Sequence, residues 1–158
     1  MAGHAKAPRP APVLGMMREF ARQTMAAQEA DGLADALGYL AHADEVIAAA
    51  ADSPDVVVWY QRGATRYQRS RCHASAHAYQ EALAEMERAI SAYEDGGPAG
   101  EEPRAEAVRI AALLEANALG APDAARARLT AAVARCEAAG LPQAAAALAA
   151  TRESLAAR

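Results

Sequence analysis

Aromatic residues are scarce in this chain. They fill 4% of its 158 positions, with one tryptophan, Trp59, and one phenylalanine, Phe20. Lysine is rarer still, because Lys6 stands alone among sixteen basic residues. A Walker-type phosphate loop needs a lysine within a glycine-rich turn, which Lys6 cannot supply. No G-x-S-x-G and no H-E-x-x-H occurs either, so the chain is read as non-enzymatic. The two cysteines, Cys72 and Cys136, are too few for a disulfide framework. Free buried thiols are the expectation, and a single bridge between them is the alternative. The longest uncharged run, Ala138 to Thr151, is too short to span a bilayer and contains Pro142. The first residues, Met1 to Leu14, hold no apolar stretch ahead of their prolines, which argues against a secretory signal and for a cytoplasmic protein. A net charge of −4 gives no footprint for nucleic acid.

Alanine is what the chain has in quantity, at about three residues in ten, and hydrophobic residues reach 53%. Alanine is the strongest helix former and buries little area per residue. Such a composition builds closely spaced helices with thin cores, so the fold class is all-α in a single domain. Arginine and alanine both have GC-rich codons, an association that suggests a bacterial source.

Residues 1–12 have no hydrophobic period and read as a disordered lead-in, with one helical domain over 13–158. Amphipathic spacing predicts helices over Val13–Ala30 and Leu33–Ala51, broken at Asp31-Gly32. A third helix is predicted over Val56–Arg69; on propensity alone its VVVWY run also suits a strand. A fourth runs from Cys72 to Glu94 and ends in the loop Asp95-Gly96-Gly97-Pro98. Glu101 opens a fifth helix to Leu119, with acids in its first turn where they suit the helix dipole. Asp123 is placed as the cap of a sixth helix, Ala124–Ala139. Gly140-Leu141-Pro142 separates it from a seventh, Gln143–Ala157. Six of these seven helices form three antiparallel pairs.

The stretch from Trp59 to Leu83 is the most patterned part of the chain. Trp59, Gly63, Tyr67, Ser75, Tyr79 and Ala82 resemble the tetratricopeptide repeat signature. Gly63 is expected to let the paired helix approach closely, and Ser75 to be small where the helices cross. Arg62 and Arg66 depart from the pattern, standing where the family favours leucine and an aromatic. The resemblance implies a short solenoid whose first helices line a concave binding surface and whose seventh, C-terminal helix is a cap. That surface would carry Val57, Tyr60, Gln61, Ala64, Tyr67 and Gln68 from the central pair. It would add Arg18, Arg22 and Met25 from the first pair, and Ile110, Leu114 and Asn117 from the third.

Charge falls in blocks. Asp31 to Asp55 holds six acids and no base, Val56 to Cys72 holds Arg62, Arg66, Arg69 and Arg71 with no acid, and His73 to Ala107 is net −6. Either the arginines await an acidic peptide or other anion, or the flanking acids neutralise them internally. His73 and His77 are four apart beside Cys72 and could share a metal on one helical face, but no third ligand is evident, so neither metal nor cofactor is assigned. Glu94 to Pro103 reads as a mobile acidic connector. The functional expectation is an adaptor or scaffold that binds a protein or peptide in the concave groove, with Arg62 and Arg66 beside it. A self-associating scaffold, as a homodimer, is the second reading, and a small-molecule or metal-binding helical protein the third.

Overall fold

The computed structural model describes residues 33–49 and 57–156, with Arg22 and Asp52. These hold six α-helices and no strand: α1 (Leu33–Ala49), α2 (Val58–Ser75), α3 (Tyr79–Glu94), α4 (Glu101–Asn117), α5 (Pro122–Ala138) and α6 (Pro142–Ala156). A 3-10 turn, Gly97–Gly100, sits between α3 and α4. The lead-in and the helix expected over Val13–Ala30 lie outside the described residues, Arg22 apart.

Each helix packs on the next, and α4 also meets α6. Along α2 and α3 the facing residues run in opposite directions. The Ser70 hydroxyl donates to the Ala82 carbonyl (2.6 Å), Arg66 meets Glu85 (3.1 Å), and Gly63 lies against Tyr93. That pair is antiparallel, as short connections require. The main core joins α3 to α6 and is lined by fully buried alanines such as Ala89, Ala107, Ala111, Ala112 and Ala125. Met86, Leu129 and Leu148 are its larger enclosed side chains, each contributing about 1.5–3 kcal/mol by burial. A smaller cluster, Ala36, Leu40 and Cys72, joins α1 to α2.

Two helix ends differ from the pattern expected of the sequence. Proline at N1 starts α5 at Pro122 with Ala121 as its cap, so Asp123 lies in the first turn and caps nothing. More consequentially, α2 does not stop at Arg69. Nothing between Ser70 and Ser75 breaks a helix, and α2 continues to Ser75, so α3 begins at Tyr79 rather than Cys72. Ser75 is therefore an exposed residue at the end of α2, and the crossing is made at Ser70 and Ala82.

The reversal after α2 is made by His77, the one described non-glycine residue with positive φ, at 58°. Ala78 N–H donates to the His73 carbonyl (2.9 Å) and His77 N–H to that of Ala74 (3.0 Å). After α5, Leu141 N–H donates to Cys136 (2.9 Å) and Gly140 N–H to Glu137 (3.1 Å), with Gly140 at φ 73°. Both are Schellman endings, one closed by glycine and one by histidine.

Two arginines on α5 tie three helices. Arg128 Nε donates to Glu115 of α4 (2.7 Å) and its Nη2 to Glu87 of α3 (2.9 Å). Arg135 binds Glu101 of α4 in a fork (2.8 and 2.9 Å) and reaches Glu94 of α3 (3.5 Å), which Arg104 also holds (3.0 Å). Burial alone would lower the Arg128 pKa, but its bonds to Glu115 and Glu87 outweigh that and raise it. The segment from Glu94 to Pro103, expected to be a mobile connector, is thus a 3-10 turn and a helix start pinned by ion pairs at both ends.

His77→Gly should stabilise the protein by about 0.5–1 kcal/mol. Relief of the left-handed backbone, worth about 1–2 kcal/mol, exceeds the entropy that glycine adds to the unfolded chain. Gly140→Ala should destabilise by about 1 kcal/mol at the matching position. Urea midpoints of the two variants decide, and equal shifts of one sign would sink the comparison.

Hydrogen bonds from Arg135 hold the Glu101 carboxyl below the ordinary glutamate range, against the opposing effect of burial. The unfolded chain therefore takes up this proton first as pH falls. The stabilisation is complete above the ordinary value of about 4.3 and is lost as pH drops through the folded one. Arg135→Leu should cost about 0.5–1 kcal/mol at neutral pH, and the gap to the parent should close as the urea series is taken into acid.

Candidate functional site

The site grows from a cluster of aromatic rings at the start of α2. Trp59 meets Tyr60 edge-on (centroids 5.9 Å) and Tyr93 of α3 edge-on (6.4 Å), while Tyr60 and Tyr93 tilt together at 6.1 Å. Two glycines make room for these rings and a third for the Tyr93 backbone. A Cβ at Gly63 would enter the Tyr93 ring, one at Gly96 would enter the Trp59 indole, and one at Gly100 would strike the Tyr93 carbonyl. Gly63 thus acts as its place in the sequence predicts. Tyr93 is buried, and desolvation, then the nearby Tyr60 and Tyr67, push its phenol up to about 12. Above this rigid base stand Val57 and Tyr60, 50% and 46% exposed.

Turning about 100° per residue, α2 carries Ala64 and Tyr67 on the same side as Val57 and Tyr60, with Gln61 and Gln68 beside them. Tyr67 is half-buried against the main core. It lies close enough to Glu106 and Arg109 of α4 to feel both charges; burial first, then Glu106, raise its pKa. Arg109 is itself forked onto Glu106 (3.0 and 2.7 Å). The Gln68 amide oxygen is buried with no hydrogen-bond partner. A cavity of about 280 Å³ continues this side between α4 and α6, among Glu102, Glu106, Arg109, Gln143 and Ala147. Ile110 and Leu114 are half-buried and Asn117 is exposed on the last turn of α4. Arg22 is exposed, whereas Arg18 and Met25 lie outside the described residues.

The arginines do not join this surface. Arg62 and Arg66 lie on roughly the opposite side of α2, because five to six residues separate them from Val57 and Tyr60 respectively, close to a half-integral number of turns. Arg66 pairs with Glu85 (3.1 Å) and Arg69 with Asp44 (2.7 Å), so the flanking acids do neutralise the centre of the basic block. Arg62 and Arg71 remain exposed. Glu85 is nearly buried and takes a second guanidinium, Arg88 (2.8 Å). The i, i+3 spacing of Glu85 and Arg88 makes this pairing legible in the sequence.

The histidines do not share a helical face, since His73 sits in the last turn of α2 and His77 in the reversal beyond it. His77 Nδ1 is hydrogen-bonded to the Tyr79 hydroxyl (2.8 Å). Among the described residues no three His, Cys, Asp or Glu side chains gather as a metal site. Cys72 and Cys136 are both free and buried, with no bridge between them, and burial raises both thiol pKa values. No described helix is long and apolar enough to cross a membrane.

Compared with known proteins, the chain matches no family model, no curated protein and no solved structure.

Gly63→Ala should destabilise by about 1–3 kcal/mol, the usual cost of overpacking, and should also disturb the Trp59 emission. Gly38, with open space around it, is the control. Gly38→Ala should hold or raise the urea midpoint, and a Gly63→Ala midpoint equal to it would mean that the close approach is not needed.

Proposed function

We propose that this protein is a non-catalytic scaffold that binds a protein or peptide segment along the face shared by α2, α4 and α6. In this reading the helix pairs stack as a short tetratricopeptide-like solenoid, with α2 and α4 as the first helices of successive pairs and α6 as the cap. The direct packing of α4 on α6, past the intervening α5, supports that order. The starts at Val58, Glu101 and Pro142 set a repeat of about forty residues, longer than the 34 of the family.

The observation that carries the proposal is the exposure of Val57 and Tyr60 on that face. Tyr60 rests on Trp59 and Tyr93, so little side-chain freedom is lost when a partner covers it. Preorganised aromatic anchors of this kind dominate binding energy in protein interfaces. Beyond Tyr67 the face turns polar and mixed in charge, at Glu106, Arg109 and Gln143, which suits orientation of a segment better than tight burial.

A tagged protein recovered from its native host should bring down a partner, and Tyr60→Ala should weaken the purified complex about thirtyfold or more, a hot-spot loss of 2 kcal/mol. Circular dichroism shows first that the variant is folded. Unchanged affinity in titration calorimetry would remove Tyr60 from the interface. Recovery of this chain alone at twice its mass would replace the adaptor by the self-associating scaffold.

A further inference from the structure

On the side of α2 away from Tyr60, a cleft of about 290 Å³ opens between α1, α2 and α3. Arg62 and Arg66 of α2, Arg88 of α3 and Asp44 of α1 line it, and Ala48 and Ala92, with the buried Ile47, give it an apolar wall. Among the described residues two acids reach this region, and both are already engaged: Glu85 by Arg66 and Arg88, Asp44 by Arg69. Four guanidinium groups against these two carboxylates leave four minus two, a local charge of +2, in a chain whose net charge is −4. Arg62 has no carboxylate partner among the described residues. Arg66 and Arg88 each spend only Nη1 on Glu85, so their Nη2 and Nε donors remain for another acceptor.

Guanidinium donors fit planar oxyanions and prefer to engage them in pairs. The apolar wall narrows the choice. A bare oxyanion has nothing to set against Ala48 and Ala92, whereas a carboxylate carried on a methylene stem does. Glu85 orients two of the three arginines, so the donors are held in place before a ligand arrives. We infer that this cleft binds the glutamate side chains of an acidic peptide segment. It is a second site, on the opposite side of α2 from the Tyr60 face, and does not depend on that face being used.

The test is fluorescence anisotropy of a labelled hexaglutamate peptide with the full chain at about 50 mM salt, where screening is modest. Saturable binding is expected, weakened about tenfold or more by Arg62→Glu and by added salt. Arg62 is exposed and unpaired among the described residues, so its replacement spares the fold, and Arg88→Gln is a second variant expected to weaken binding. Tyr60→Ala should leave the affinity unchanged. The inference is overturned by absence of saturable binding, or by equal affinity in Arg62→Glu. Loss of binding in Tyr60→Ala would overturn it by placing the peptide on the other face. Displacement by equimolar inorganic phosphate would overturn the peptide assignment in favour of a bare oxyanion.

Discussion

The fit of the Tyr93 ring against backbone that carries no side chain is the constraint on which the rest of the architecture depends. Gly63 on α2 and Gly100 at the entrance to α4 both yield their Cβ space to this one residue of α3. Three consecutive elements are thereby fixed at short range by one residue, through its ring at Gly63 and its carbonyl at Gly100. Trp59 closes the arrangement over Gly96, and the 3-10 turn is shaped to let it do so. Alanines continue the same economy of volume through α4, α5 and α6, where small side chains bring helix axes together around a few larger buried ones such as Val108, Leu129 and Leu148. Arg128 and Arg135 then act across that thin core, each holding α3 and α4 from α5.

Helix ends were legible in the sequence where glycine or proline made them. Gly97, Gly120 and Gly140 all take positive φ where breaks were expected, and Pro122 and Pro142 stand at helix starts. The end of α2 was illegible for the same physical reason: the left-handed residue there is His77, which gives no breaker signal. That one missed reversal moved Ser75 and His73 from α3 to α2 and dissolved the supposed histidine pair. The close approach at Gly63 and the internal pairing of Arg66 and Arg69 could be read from residue type and charge blocks. The separation of the arginines from the tyrosines was also present in the helical period, but a linear list of groove residues hides it. What the sequence could not supply was the choice of partners forty residues apart, such as Arg128 with Glu87, because only the folded stack sets those distances.

In the proposed reading, the two faces of α2 divide the binding chemistry of the molecule. One presents a tyrosine anchored by other rings, and its affinity would come from apolar contact that salt scarcely alters. The other presents guanidinium groups set by Glu85, and its affinity would fall with ionic strength. A single helix can serve both because its third side, Trp59, Gly63 and Ser70, is fully committed to α3.

The seam between α1 and α2 has a further consequence. Among the described residues it is built around Ala36, Leu37, Leu40 and Cys72 with one ion pair, Arg69 to Asp44, a smaller apolar cluster than that of α3–α6. Cooperative units with fewer buried contacts open at lower free energy, so amide hydrogens of α1 should exchange ahead of those in α4 and α5. Since Ile47 and Ala48 of α1 form the wall of the arginine cleft, any ligand that fills it draws this seam closed by mass action. Occupancy of the cleft would then be recorded in slower exchange along a helix whose backbone the ligand need not touch.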